Sequence, residues 1–317
     1  MSRAAPHPHL ASGLTLAILG SIAFSGKAII VKLAYRYGVD AVTLIMYRML
    51  FALPLFLALT WWSTHRPGLA KKPEPLTRRD WLGVLGLGLT GYYLASFLDF
   101  WGLEYITASL ERLILYLNPT LVLLLGWLLY RRRIGALQAI AMAVSYAGVL
   151  LVFGHELGEQ GPNAALGAFL VFASAISYAI YLVYSGELVK RLGSTRLVGL
   201  ATSVACVLCI AQFLLLRPLS AATVAPEVIW LSLLNATLCT FAPVLMVMMA
   251  IERIGPGLAA QTGMLGPMST ILMGVFILGE PFNGWIVVGT VLVLSGVFLV
   301  TRFGTPRAAA KPIDTGD

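Results

Sequence analysis

Charge is scarce in this sequence. Only 11% of its 317 residues are Asp, Glu, Lys or Arg, against about 25% in an ordinary soluble domain. Cysteine is scarce as well. Three in the whole chain exclude a disulfide-stapled secreted scaffold. The low hydrophobicity of disordered chains is also missing: 59% of residues are hydrophobic and the mean hydropathy is +0.86. A soluble fold of this length has nowhere to bury so much apolar surface. What remains is an all-α membrane protein, with the lipid bilayer as its surroundings.

The net charge is +8, yet no nucleic-acid partner is expected. The basic residues fall in short links between apolar runs, which is the positive-inside pattern and not a phosphate-binding face.

A bilayer-spanning helix needs about 20 mostly apolar residues. Ten runs qualify: 11–35, 39–62, 81–101, 107–130, 134–153, 166–186, 195–216, 227–250, 257–279 and 282–302. Most links are short and carry Gly or Pro, as in Tyr37-Gly38 and Gly279-Glu280-Pro281, so neighbouring helices form antiparallel hairpins. The longest link, 63–80, holds Pro67, Pro73 and Pro75 with several charges and reads as a solvated loop. The first run is too long for a cleavable leader and is interrupted by Lys27 and Lys32. With the N-terminus inside, 16 of the 22 Lys and Arg fall in cytoplasmic pieces, and only Arg36 and Arg217 in outer links. Both termini are therefore expected in the cytoplasm, with 303–317 as a cytoplasmic tail, and the inner membrane is the expected location.

The chain repeats itself. Sliding 102–152 onto 250–300, an offset of 148, gives 11 identities in 51 positions. They include Glu104/Glu252, Ile106/Ile254, Pro119/Pro267, Gly126/Gly274 and Gly148/Gly296. Residues 11–153 and 166–302 then form two five-helix repeats. Five is odd, so the second inserts upside down relative to the first, an arrangement common among secondary transporters. The expected fold is ten transmembrane helices in two inverted five-helix repeats. Tyr130-Arg131-Arg132-Arg133 aligns with Leu278-Gly279-Glu280-Pro281, a mismatch that follows from their lying on opposite sides of the membrane.

Ten spans, two repeats and mid-helix prolines, with Ser25-Gly26-Lys27-Ala28, Lys32, Arg48, Leu117-Asn118-Pro119-Thr120 and Gly279-Glu280-Pro281, resemble the drug/metabolite transporter superfamily, EamA type, over residues 11–302. The resemblance implies transport of a small metabolite, often outward. Arg131-Arg132-Arg133 departs from it, since many relatives carry a Glu after helix 4.

Ionisable residues inside the spans are expensive, about 2.5–3.5 kcal/mol each at a helix centre. They are Lys27, Lys32, Arg48, Asp99, Glu111 and Arg112, all in the first half. Glu111 and Arg112 align with Ala259 and Ala260. Lys32 is near enough to the outer surface to snorkel. The others form a layer between midplane and outer face. Three cations against two acids point to a carboxylate-bearing substrate, for which arginine offers a bidentate fork. Lys27, Arg48 and Arg112 are expected to bind it, helped by Asn118, Tyr178, Tyr181 and Gln261. Lys27 and Arg48 would share one carboxylate, with Tyr181 opposite. Asp99 and Glu111 are the candidates for a coupling proton, and Pro119 and Pro267 for hinges. The competing reading is structural pairing of Asp99 with Lys27 and Glu111 with Arg48.

On helix 6, Ser174, Ser177, Tyr178, Tyr181 and Ser185 share much of one face and should line a cavity. Gly83, Gly86, Gly88 and Gly91 on helix 3 should permit close helix packing. Cys206-x-x-Cys209 and Cys239 lie within apolar spans and all four His outside them, so no metal site is expected. No P-loop is present, and no cofactor is expected. Together these residues describe a secondary transporter exporting a small carboxylate-bearing metabolite or amino acid by alternating access. It would have no catalytic residues and would act as a monomer. Two other classes remain at this stage: a membrane-embedded lipid-modifying enzyme using Asp99 and Glu111, and a non-transporting membrane sensor.

Overall fold

The computed structural model describes residues 8–65, 75–131, 134–160, 163–263 and 265–303, and among these it contains helices and no strand. We number the apolar helices as spans. Span 1 is Pro8–Tyr35, span 2 Ala41–His65, span 5 Ala136–Gln160, span 6 Asn163–Leu192, span 7 Ser194–Leu216 and span 10 Gly284–Phe303. Span 3, Arg78–Gly102, span 4, Ala108–Tyr130, and span 8, Pro226–Ile251, are interrupted helices, and span 9 is the shorter apolar helix Leu265–Leu278.

The helical backbone continues past span 8 to Gly263, and the packing shows that the chain reverses direction between Ile254 and Gly266. Gly20 of span 1 faces Met246, and Gly13 faces Ile254. Ser25 then meets Gly266, and Arg36 meets Leu278. Span 8 therefore runs antiparallel to span 1, and span 9 parallel to it.

Proline decides where the helices break. A proline ring lacks the N–H donor and collides with the carbonyl four residues back. In span 4 the first helical piece ends at Leu115, four residues before Pro119. In the second half the helical stretch ends at Gly263, four residues before Pro267. The offset of 148 joins these two breaks, and it joins further features that side-chain patterns do not reveal. Span 3 widens into π-helix over Gly88–Leu94, which the offset carries to 236–242. Span 8 widens into π-helix over Thr237–Phe241. Arg131 and Gly279, also 148 apart, both end their helices in the left-handed conformation, with φ of 51° and 73°. Their N–H groups donate to Gly126 and Gly274, again an aligned pair. Arg131 is the one non-glycine with positive φ among the described residues.

The packing has the same symmetry. Span 1 lies along spans 8 and 9, and span 6, its counterpart, along spans 3 and 4. Spans 2 and 7 pair with each other, as do spans 5 and 10. Exchanging the halves maps this set of contacts onto itself. The 5–10 pair is close because its repeated glycines leave no room for a side chain: a Cβ on Gly148 would lie 2.7 Å from the Gly289 carbonyl. Small residues at such crossings are how helices associate in lipid, where apolar burial gives no advantage over contact with lipid tails.

Candidate functional site

A cavity of about 350 Å³ opens at the centre of the bundle, between spans 1, 2, 3, 4, 6, 7 and 8. Its apolar wall includes Phe24, Phe56, Leu115, Pro119 and Val244, and the charged groups facing it are Lys27, Arg48, Asp99 and Arg112. The local distortions of the helices explain why these polar groups sit where they do.

Lys27 on span 1 lies between two acids. Its Nζ makes a short hydrogen bond to Asp99 Oδ2 on span 3 and stands 3.3 Å from Glu111 Oε1 on span 4. Asp99 lines the cavity, while Glu111 is fully buried behind it. Asp99 Oδ1 and Glu111 Oε2 have no hydrogen-bond partner among the described residues. The neighbouring Arg112 points elsewhere, because successive helical residues lie about 100° apart. Its Nη2 donates to Ser25 Oγ at 3.1 Å, its guanidinium lies 5.4 Å from the Phe24 ring centre, and its Nε is unpartnered. Ser25 Oγ in turn donates to the Ser21 and Gly266 carbonyls, each at 2.8 Å, fastening span 1 to span 9.

Arg48 on span 2 faces the second half. Its Nε donates to Thr240 Oγ1 at 3.1 Å, and the guanidinium lies 5.0 Å from the Phe100 ring centre. Its Nη1 is buried without a partner. Thr240 belongs to the π-segment of span 8, and its hydroxyl donates to Asn235 five residues back, at 2.8 Å. Asn118 sits at the break in span 4. Its Nδ2 donates to the Leu115 carbonyl, which Pro119 cannot serve, at 2.7 Å. Its Oδ1 is left unpartnered and Asn118 lines the cavity.

Three tyrosines form one cluster. Tyr92, in the π-segment of span 3, has its hydroxyl 3.2 Å from that of Tyr181, and Tyr178 stacks on Tyr181 with ring centres 5.5 Å apart. Tyr92 and Tyr178 line the cavity. Tyr181 does not: its ring lies against Gly91, where a Cβ would collide with it. The expected partnership of Lys27, Arg48 and Tyr181 around one carboxylate is thus not the arrangement found. Lys27 is taken up by the two acids, and Tyr181 stands behind the cavity wall.

Of the two pairings weighed from sequence, Asp99 with Lys27 is present. Glu111 also turns to Lys27 and not to Arg48. Pro119 lines the cavity and Pro267 is buried in the first turn of span 9. The side chain of Gln261 lies outside the described residues. The serines of span 6 serve mainly span 3. Ser174 Oγ donates to Ala95 at 2.6 Å and Ser177 Oγ to Thr90 at 2.8 Å, beside the π-segment where the carbonyl ladder is loosened. Gly83 and Gly88 do mark close approach, to Leu188 and to the Ala201 carbonyl. Cys206 and Cys209 are packed in the main apolar cluster. Sequence reading did not assign Tyr92, Thr240 or Ser25 to the site, since an uncharged polar residue in an apolar helix carries no mark of which neighbour it will meet.

A second, larger space of about 610 Å³ lies at the end of the bundle that holds the 36–40 link. Here the polar groups are engaged. Lys32 does not snorkel: its Nζ donates to the Leu103 and Ile106 carbonyls at 3.2 and 3.0 Å, capping the end of span 3. Arg36 Nη2 donates to the Leu278 carbonyl at 2.8 Å. The Glu280 carboxylate accepts from the N–H groups of Ala108 and Ser109 at 2.7 and 3.2 Å and from Ser109 Oγ at 2.8 Å, clamping the start of span 4. Glu104 accepts from Ala41 N–H at 2.9 Å, and burial raises its carboxyl above the ordinary range. Asp40 caps span 2 through Val42 and Thr43 and meets Arg217 at 3.2 Å. Burial pushes the Asp40 carboxyl up, but the Thr43 hydrogen bonds and Arg217 outweigh it, so it lies below the usual range.

A ten-helix membrane bundle with paired halves around a buried polar cavity is an architecture found among membrane transporters. The chain belongs to the EamA-like transporter family, which it matches over residues 11–154 and 165–302. It is 30% identical to the uncharacterized transporter YcbK of Bacillus subtilis, across 92% of this chain and 91% of that one. It is 24% identical to an uncharacterized transporter of Archaeoglobus fulgidus, across 92% and 96%. One solved crystal structure shares the fold with a TM-score of 0.61 and 18% identity, covering 92% of this chain and 97% of the other.

Proposed function

We propose that this protein is a secondary transporter of the cytoplasmic membrane that exports a small carboxylate-bearing metabolite, such as an amino acid, by alternating access. The observation that carries the reading is the pair of buried arginines with free donors, Arg48 Nη1 and Arg112 Nε, beside one cavity. A buried charged donor without a partner is costly, and a carboxylate entering the cavity supplies the missing acceptor. The apolar wall then receives the rest of the substrate. Lys27 is the electrostatic partner of Asp99 and Glu111, and those acids are the coupling candidates. Asn118 and Tyr178 offer neutral hydrogen bonds, and the breaks before Pro119 and Pro267 let the two halves flex. Both termini face the cytoplasm in this reading, which the distribution of basic residues supports.

Two measurements test this reading. Purified protein is screened for thermal stabilisation by a panel of amino acids and carboxylic acids alongside the corresponding amines that lack the carboxylate. Stabilisation only by carboxylates is expected. Stabilisation by the amines alone overturns the substrate class. Reporters fused after Arg133 and near Glu159 are expected to report cytoplasm and exterior respectively, and the same side for both overturns the topology.

A further inference from the structure

Two buried carboxylates and one ammonium do not balance. Lys27 Nζ contacts one oxygen of each acid, and the remaining oxygens, Asp99 Oδ1 and Glu111 Oε2, have no hydrogen-bond donor among the described residues. The three side chains are 9%, 3% and 0% exposed, so bulk solvent does little to stabilise the two carboxylates. The charged groups around Glu111 are Lys27 from span 1, Asp99 from span 3 and Arg112 from its own helix. Arg112 keeps its charge nearby, but it donates to Ser25 and lies over the Phe24 face, and it gives neither free oxygen a hydrogen bond. Arg48 is engaged by Thr240 and Phe100. Like charges crowded into a low-dielectric site cannot both stay ionised, and a carboxylate pair in that position holds one proton between its members.

We propose that Lys27, Asp99 and Glu111 form a one-proton site: an ammonium, one carboxylate and one carboxylic acid, neutral as a unit, with the proton belonging to the acid pair. This deepens the coupling role proposed above and rests on that reading only for its purpose, not for the proton itself. The site joins spans 1, 3 and 4, and Glu111 rides on the short piece Ala108–Leu115, which the break before Pro119 separates from the rest of span 4. A shift of that piece carries Glu111 away from the one cation it shares.

The test needs no substrate. Infrared spectra of the purified full chain at neutral pH read the C=O stretch of protonated carboxylic acids, and variants are compared with the wild type. Glu111→Gln leaves Lys27 with Asp99 alone, and Asp99→Asn leaves it with Glu111 alone. Each single substitution is expected to remove the signal of one carboxylic acid, and the double substitution no more than that. Lys27→Met removes the shared cation and is expected to add one. If neither single substitution changes the signal, both acids are ionised and the proposal is overturned. If the double variant loses two acids, both are protonated and it is equally overturned. Should Lys27→Met fail to fold, the two isosteric amide variants still decide the matter. Absence of any transported substrate would sink the transporter reading while leaving this signal in place.

Discussion

The central cavity and the outer space differ in how their polar groups are served. In the outer space each charged lining side chain has found a partner: Glu280 holds the start of span 4, Lys32 the end of span 3, Asp40 the start of span 2. In the cavity, Arg48, Arg112, Asp99 and Asn118 each keep an atom with none. Among the described residues, no side chain lining the outer space has a buried polar atom without a partner. The difference between the two polar layers is the observation on which the proposed binding site rests. The outer groups hold helix ends together, and the inner groups are those for which a ligand and a proton are proposed above.

The largest effect that can break this comparison is on binding. Removing one good charged contact costs about 2–5 kcal/mol, which is roughly 30-fold or more in affinity. Arg48→Met and Arg112→Met are each expected to weaken binding by that much for whichever carboxylate the thermal screen identifies, while Cys206→Ala leaves it unchanged. Titration calorimetry on folded protein reads the outcome. Wild-type affinity in both arginine variants would make the cavity as structural as the outer space.

Stability should show the reverse pattern. Hydrogen bonds to a charged group contribute about 1.5–3 kcal/mol, and Glu280 accepts three. Glu280→Ala is expected to lower the melting temperature of the detergent-purified protein clearly, while its substrate affinity, measured below that temperature, stays near wild type. A loss of affinity without loss of stability would move Glu280 from fastening to binding.

A smaller effect tests the cap on span 2. Replacing a capping Asp by Ala costs about 1 kcal/mol. Because the folded Asp40 carboxyl lies below its ordinary range, it stabilises the fold above the unfolded pKa of about 4. That contribution is lost as pH falls through the folded value. The stability gap between wild type and Asp40→Ala is therefore expected at neutral pH and should shrink in acid. A gap that is constant with pH would show that the charge plays no part.

The smallest effect lies at the other end of the bundle. Arg131 holds a left-handed conformation that its repeat counterpart fills with Gly279. For an L-residue with a side chain that conformation costs about 1–2 kcal/mol. Arg131→Gly is expected to be neutral to slightly stabilising in thermal melts despite the loss of a charge. Marked destabilisation would mean that the guanidinium makes a contact outweighing the strain.

Much of the fold was legible because membrane burial is a one-dimensional constraint. Long apolar runs, their links and the distribution of Lys and Arg can all be counted along the chain, and Pro119 with Pro267 marked both breaks. The buried charges were legible for the same reason, since each stands out against an apolar background. Their pairing was not. Lys27 to both acids, Glu111 away from Arg48, and Tyr181 behind Tyr92 depend on which faces of separate helices meet.

The π-segments were hidden too, because an extra residue in a helical turn leaves no compositional trace. By itself, the sequence determined ten apolar segments, two related halves, the six intramembrane charges and the positions of the helix-breaking prolines. These follow from solvation cost and backbone chemistry that each residue carries wherever it lies. Only the tertiary structure decided which charges satisfy one another and which keep a free atom beside the cavity. That is a matter of distances of a few ångströms between helices far apart in the chain, set by glycine contacts, π-turns and helix breaks acting together.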